Sequence, residues 1–448
     1  MTDMKALVSP RLGITLLAAL LFLAPTLALA DGLPSQLEAD VNESYRLLAK
    51  TYYKPVDVQT LVDAARSAIV DEGNKHHVRV MLSDAPSPDN QDATIAWIDD
   101  AIATAAATAH TQPTSFAYAA MSAMAKAVGD RYTTFMTPDD YRAFNNALDP
   151  EKISGIGVLI APDQITGLMS LSYVVPGTPA DRAGLLSGDI LYAIDGTSTK
   201  GLTIESTSKL LRGRAGTIVH LDVDRSGERI HAFDITRSEI QPPTVIGKML
   251  PDSIGYIIVI AFGKDTPAQF DQALRRLRDA KALVIDLRND GGGYVDSALE
   301  MASRFIANHP LLTVQQRGLP DTTIPAGDDV AVNVPVTMLV NKGTASASEI
   351  MAGAMQDDGI AALVGTRTFG KGVMQTLTPL PDGAAIKITT AHYLTPRHHD
   401  INLRGIDPDV QIEEPGDSRF GEVAHDPQLR AALAFLQKKI AETGATKP

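Results

Sequence analysis

The chain has 448 residues, 44% hydrophobic and 21% charged, with 40 Lys and Arg against 53 Asp and Glu for a formal net charge of −13. That length fits about three ordinary domains, and the composition excludes collagenous, coiled-coil and wholly disordered chains. An acidic chain with no basic stripe is a poor partner for nucleic acid. It has no cysteine, which excludes disulfides, thiolate metal sites and a Cys nucleophile, so covalent catalysis would rest on Ser, Thr, Lys or a carboxylate.

Lys5 and Arg11 precede the apolar run Leu12–Leu23, and Ala28-Leu29-Ala30 stands before Asp31. This order reads as a secretory signal peptide over residues 1–30, with Pro25 and the small residues favouring cleavage over retention as an N-terminal anchor. The mature chain then has no membrane span and is expected to be exported, into a bacterial periplasm. Helical spacing of Leu47, Leu48, Tyr52, Tyr53, Leu61, Ala65 and Ile69 predicts a helical region over 31–148. The polar stretch Asp71–Asn90, with Gly73 near its start, is expected to break a helix there. His76 and His77 fall in that break and read as a solvated loop, since no further metal ligand is evident.

From 149 to 240 the texture changes to a compact mixed β module. Ile153–Ile160, Leu168–Val175, Ile190–Ile194 and Val219–Val223 are short apolar runs between Gly, Pro and Asp clusters. Residues 241–415 alternate strand-like and helical segments, the pattern of an α/β layered core. A final helix over Gln428–Ile440 is predicted inside the tail 416–448, with Asp426 as N-cap and Pro427 in its first turn.

Three segments of the core carry chemistry. In Asn341-Lys342-Gly343-Thr344-Ala345-Ser346-Ala347-Ser348-Glu349-Ile350, small residues crowd a strand-to-helix turn. Ser346 there is either a nucleophile, with the next N–H as an oxyanion donor, or merely a helix cap. Gly365-Thr366-Arg367-Thr368-Phe369-Gly370-Lys371-Gly372 has the spacing of a phosphate loop, but Gly372 stands where Mg²⁺ binding needs Ser or Thr. Lys371 instead offers a base, because a desolvated lysine loses pKa. Gln375 follows at i+4 in an extended run, on the same side, where its carbonyl could hold the amine without adding charge. Asp357 lies too far along the helix from Ser346 to reach it. The third segment, Asp286-Leu287-Arg288-Asn289-Asp290-Gly291-Gly292-Gly293, puts three glycines at a strand end, suited to an anion loop or an ordinary tight turn.

Together these segments resemble the C-terminal processing peptidases, or tail-specific proteases, which are Ser–Lys serine endopeptidases carrying a PDZ domain. The likeness runs from about Tyr45 to Leu436 and includes Phe369-Gly370-Lys371-Gly372 and Gly405-Ile406-Asp407-Pro408-Asp409-Val410. It implies an α+β multidomain fold: an N-terminal helical region, a PDZ-like β module, an α/β layered peptidase core and a C-terminal helix. It also implies Ser346 as nucleophile, Lys371 as base, Gln375 as its orienting partner, and an oxyanion hole from Ala347 with Gly292 or Gly293. Within the β module, Gly155-Ile156-Gly157-Val158 resembles a PDZ carboxylate-binding loop, and Arg212 is a candidate link from the module to the active site. Two departures stand out: Asp290-Gly291 replaces the usual Asn-Pro, which predicts a looser, more acidic loop, and 71–112 resembles an insertion.

The expectation is an exported endopeptidase needing no metal or cofactor. It would act on protein or peptide substrates with accessible C-terminal tails, with an adaptor or a homo-oligomer as further partners. The alternatives are a non-catalytic PDZ peptide-binding protein on the same fold and, less supported, a metal hydrolase centred on Arg397-His398-His399-Asp400.

Overall fold

Helical spacing of apolar residues builds the first layer. In the computed structural model, which describes residues 32–87, 90–163, 165–225, 228–328, 330–414 and 421–445, helices Ser35–Thr51, Val58–Lys75, Gln91–Thr108 and Thr114–Ala127 pack together. Asp57 and Asn90 cap the second and third by accepting from Gln59 and Ala93 N–H. The signal-peptide segment lies outside the described residues. The helix break expected within Asp71–Asn90 is present, but it begins after Gly73: the helix runs on to Lys75, and the next described helix starts at Gln91. Gly73 is there because Val80 packs against it, and a Cβ would meet the Val80 side chain at 2.4 Å. Trp97, Ile98 and Ile102 of the stretch read as an insertion share one core with Leu48, Leu61, Ile69 and Phe116, so this stretch is integral to the bundle.

The β module folds around Leu171, Leu191, Ile194, Val219, Leu221 and Val223. Its main sheet runs in the order Val158–Pro162, Met169–Val174, Ile190–Ile194, Ile218–Arg225, Glu228–Thr236. Strand Val158–Pro162 is therefore an edge, flanked by helix Ile204–Leu211. The ribbon of Ile153–Gly155 with Ser238–Ile240 closes the module where the chain enters and leaves it.

The core is a doubly covered sheet. Its strand order is Val245–Leu250, Ile254–Val259, Ala282–Asp286, Val336–Val340, Ala361–Gly365, Val410–Gln411, parallel throughout except for the first pair. Helices Thr266–Arg276, Val295–Ala302 and Ala347–Asp357 cover one face, and Pro427–Ala445 covers the other through Leu429, Ala432 and Leu436. Burial on both faces explains why the central strands read as unbroken apolar runs. A second sheet is organised by the long strand Ala385–Leu394, which pairs with Val373–Pro379, Pro310–Gln316 and Thr134–Met136. The last of these comes from the helical region and ties it to the core. Among the described residues no helix is long and apolar enough to cross a membrane.

Candidate active site

In a parallel sheet, sites form beyond the carboxyl ends of the strands. Here the adjacent strands Ala282–Asp286 and Val336–Val340 end in the glycine loop and the Ser346 turn. Ser346 has φ 60° and ψ −119°, a conformation that costs a non-glycine residue about 1–3 kcal/mol and lifts its side chain out of the helix line. The glycine loop crosses directly beneath. A Cβ at Gly292, whose φ is 92°, would lie 2.7 Å from Ala347 N and 2.9 Å from Ser346 Cβ, so only glycine fits.

The two candidate oxyanion glycines differ. Gly292 N–H donates to Asp290 Oδ1 at 2.8 Å. Gly292 C=O accepts from Phe262 N–H, so in the same trans peptide the Gly293 N–H points the opposite way. Among the described residues it makes no hydrogen bond. Asp290, in the loop expected to be looser and more acidic, is buried: it is 1% exposed, and its main-chain O accepts Ala345 N–H and the Ser348 hydroxyl, each at 3.0 Å.

Lys371 reaches the same cleft, of about 990 Å³, from the second sheet. Its Nζ lies 5.2 Å from the centre of the Tyr132 ring. Burial, reinforced by the charge of Lys387, pushes its ammonium down to about 8, against Glu349 and Asp130, which hold it up. The phosphate-loop spacing is filled by a protein carboxylate. Buried Glu349 accepts Gly370 N–H (2.7 Å) and the Thr368 hydroxyl (2.6 Å) on Oε1, and Lys371 N–H (2.8 Å) and Ser346 N–H (2.9 Å) on Oε2. One side chain thus holds both turns. Buried Tyr393 adds a second tie, its hydroxyl donating to Lys371 O and lying 3.4 Å from Ser346 O.

Gln375 lines the cleft, although not by the strand alternation expected. The strand starts at Val373, after Lys371, and its register shifts between Met374 and Gln375. The Gln375 amide nitrogen lies 3.3 Å from Val373 O and 3.5 Å from Thr389 Oγ1. Asp357 sits at the far end of the helix, accepting Arg397 N–H and facing His399 at 3.3 Å. His392 pairs with Asp400 at 3.0 Å and His76 with Glu72 at 3.6 Å, and among the described residues no cluster of three potential metal ligands forms.

Several lining groups were not foreseen. Lys387, on the strand paired with Leu377, lies over Phe144 at 5.1 Å, and its ammonium is pushed down mainly by burial. Leu148, Ile260, Ile324 and Met374 give the cleft an apolar wall. Nothing near Lys387, Tyr132 or Ile260 in sequence signals that they meet.

In the β module, Gly157 has φ 88°, and a Cβ there would overlap Thr178 at 2.2 Å. The loop is braced by Ala180 N–H donating to Ile156 O and Val175 N–H to Gly157 O. Ile156 and Gly157 N–H make no hydrogen bond among the described residues, while Gly155 and Val158 end and begin strands. Arg212, the exposed C-cap of helix Ile204–Leu211, lies against Gly155. The buried guanidinium that secures that helix is Arg237, which donates to Leu210 O and Leu211 O.

Residues 253–412 match peptidase family S41, and residues 171–225 match the PDZ domain. A carboxyl-terminal-processing protease of Picosynechococcus sp. is 35% identical over 329 residues, covering 71% of this chain and 79% of the relative. One of Synechocystis sp. is 34% identical over 334 residues, covering 72% and 78%. The carboxy-terminal processing protease CtpA of Bacillus subtilis is 30% identical over 326 residues, covering 72% and 69%. Among solved structures, a photosystem II D1 C-terminal processing protease aligns with 84% of this chain and 93% of its own, at 25% identity and a TM-score of 0.44. With a peptidase core, a PDZ module and relatives of this extent, the chain belongs to peptidase family S41, among the carboxyl-terminal-processing proteases.

Proposed function

We propose that the protein is an exported serine endopeptidase that cleaves substrate proteins near or from their C-terminal tails, with Ser346 as nucleophile and Lys371 as general base. The observation that carries this reading is the meeting of a strained serine and a desolvated lysine in one cleft, both turns bonded to the same Glu349 carboxylate. A lysine held near 8 is a usable base around neutral pH, where an ordinary lysine is not. Neutral Lys371 takes the Ser346 hydroxyl proton as Oγ attacks the scissile carbonyl. The resulting oxyanion is held by Ala347 N–H at the helix start and by Gly293 N–H. Lys371 then gives the proton to the leaving amine, and water, activated by the same amine, hydrolyses the acyl-enzyme. Gln375 Oε1, which accepts no hydrogen bond among the described residues, is available to hold the Lys371 ammonium between steps.

The PDZ module supplies the choice of substrate. Its edge strand Val158–Pro162 can accept an extended tail beside helix Ile204–Leu211, with Ile156 and Gly157 N–H taking the terminal carboxylate. In the cleft, Leu148, Ile260 and Met374 favour apolar residues near the scissile bond.

An unfolded protein bearing an apolar C-terminal tail tests the reading. Ser346→Ala and Lys371→Ala are each expected to lower its cleavage by about 10³-fold or more while leaving the circular dichroism spectrum unchanged. Full activity in either variant would overturn the assignment. A chain that binds the tail tightly but cleaves it no faster than Ser346→Ala would be a binding protein instead.

A further inference from the structure

Asp290, in the loop of the candidate oxyanion glycines, is a buried ionisable group that this chemistry leaves unused. It is 1% exposed. Its Oδ1 accepts the Gly292 N–H at 2.8 Å, and its Oδ2 is buried with no partner among the described residues. Among the described residues no counter-ion pairs with it. Glu349 is bonded to the Ser346, Gly370 and Lys371 N–H groups, Arg288 to Asp286 and Asp426, and Glu414 to Asn341. Lys371 stands over Tyr132, and Lys342 is exposed. What bears on the Asp290 carboxyl is burial, which pushes it up to about 7, against the Gly292 N–H and the Ser348 hydroxyl, which pull it down.

Resting on the reading of Ser346 and Lys371 as nucleophile and base, we infer that Asp290 is the positioning residue of the oxyanion hole and its built-in pH brake. Its Oδ1 holds the N–H of Gly292, the residue packed against Ser346 and Ala347, and so fixes the turn that carries the Gly293 N–H, and its negative charge, when present, opposes the oxyanion forming one peptide away. The geometry requires only an acceptor at Oδ1, which a neutral carboxyl supplies as well as a carboxylate. The charge is therefore dispensable for positioning and adverse to catalysis, since a like charge in a desolvated site raises the energy of the developing alkoxide.

Two opposed protonation demands follow. Lys371 must be neutral, so activity rises with pH through about 8, and Asp290 must be neutral, so activity falls as pH rises through about 7. Only a minority of molecules satisfies both, and the turnover profile is a bell with its maximum between these values.

Steady-state cleavage of the tail-bearing unfolded protein from about pH 5.5 to 10 tests this in wild type, Asp290→Asn and Asp290→Ala. Asparagine keeps the acceptor and removes the charge. It is expected to abolish the descending limb and raise kcat at pH 9 about a hundredfold with KM unchanged. Alanine removes the acceptor and is expected to lower kcat about tenfold or more at every pH, a loss that asparagine does not show. An Asp290→Asn profile that superimposes on wild type, or that keeps the descending limb, overturns the inference. Ser346→Ala in the same assay separates the two failures: if it is inactive while Asp290→Asn matches wild type, only the role of Asp290 falls. If it is active, the reading of the site falls with it.

Discussion

The two places where this chain is expected to hold a peptide are built in opposite ways. The cleft is assembled from turns that buried side chains lock together: Glu349 joins the Ser346 and Lys371 turns, Tyr393 adds a second tie, and Arg288 anchors the root of the glycine loop. The PDZ loop is held by a few main-chain bonds and one threonine, beside a half-exposed edge strand. Chemistry needs donors fixed to a fraction of an ångström. Tail recognition needs an open strand edge and tolerance for many sequences. The difference in wiring therefore predicts different symptoms on damage: loss of stability and turnover in one region, loss of affinity in the other.

The largest effect is expected at Arg288. Its guanidinium, 5% exposed with its residue, bonds Asp286, Asp426 and Gln428, tying the central strand to the C-terminal helix just before the glycine loop. Arg288→Met leaves two buried carboxylates without their cation and is expected to cost about 3–5 kcal/mol of stability, read by denaturant unfolding. Burial raises the Asp426 carboxyl, but the Arg288 bonds outweigh it and hold the group below its ordinary value. A depressed carboxylate stabilises the fold above its unfolded pKa, and that contribution is lost as pH falls through its folded pKa. Part of the acid destabilisation below about pH 4 is thus expected to vanish in Arg288→Met. Unchanged unfolding would break the comparison at its strong end.

Next in size comes Gly157→Val, which sets a side chain on Thr178 at a positive φ. It is expected to raise KM for a tail-bearing substrate about tenfold, a change of roughly 1.4 kcal/mol, while kcat stays within about twofold. A fall in kcat with KM unchanged would mean that the PDZ loop is wired into the chemistry after all, and would give Arg212, beside Gly155, a role in that link.

What could be read from the sequence follows the same division. Ser346, Lys371 and the glycine loop were legible because each lies in a short run whose residue types serve one local geometry, a strand end with small residues and positive φ. Which glycine presents its N–H was not, because that depends on the Asp290 carboxyl folding back two residues on. Gln375 lines the cleft with Lys371, but strand alternation is not the reason, because the strand starts only at Val373 and its register shifts before Gln375. Gly73 lies inside a helix that ends two residues on, within the stretch expected to break it, and the Val80 side chain packed on Gly73 explains why that position has no Cβ. Tyr132 and Lys387 reach Lys371 across 239 and 16 residues of chain, and no periodicity reports such meetings.

Lys387 gives the smallest expected effect and the sharpest test of how far the cleft is tuned. Burial is the main cause that lowers the Lys371 ammonium, and the Lys387 charge is the second. Lys387→Met removes that repulsion and leaves the burial and the apolar contact with Phe144 largely in place. The Lys371 ammonium is then favoured, so neutral Lys371 becomes scarcer at a given pH. In the Asp290→Asn background, where Lys371 alone sets the profile, the ascending limb of kcat/KM, which reports the free enzyme, should therefore move to higher pH by about half a unit or less. Because Lys387 belongs to a strand paired with Thr134 from the helical region, the variant also asks whether that region only supports the cleft or sets its electrostatics. A shift to lower pH would contradict the repulsion outright. No shift would assign the tuning of Lys371 to burial alone, and the cleft would owe its base to the same exclusion of water that fixes its turns.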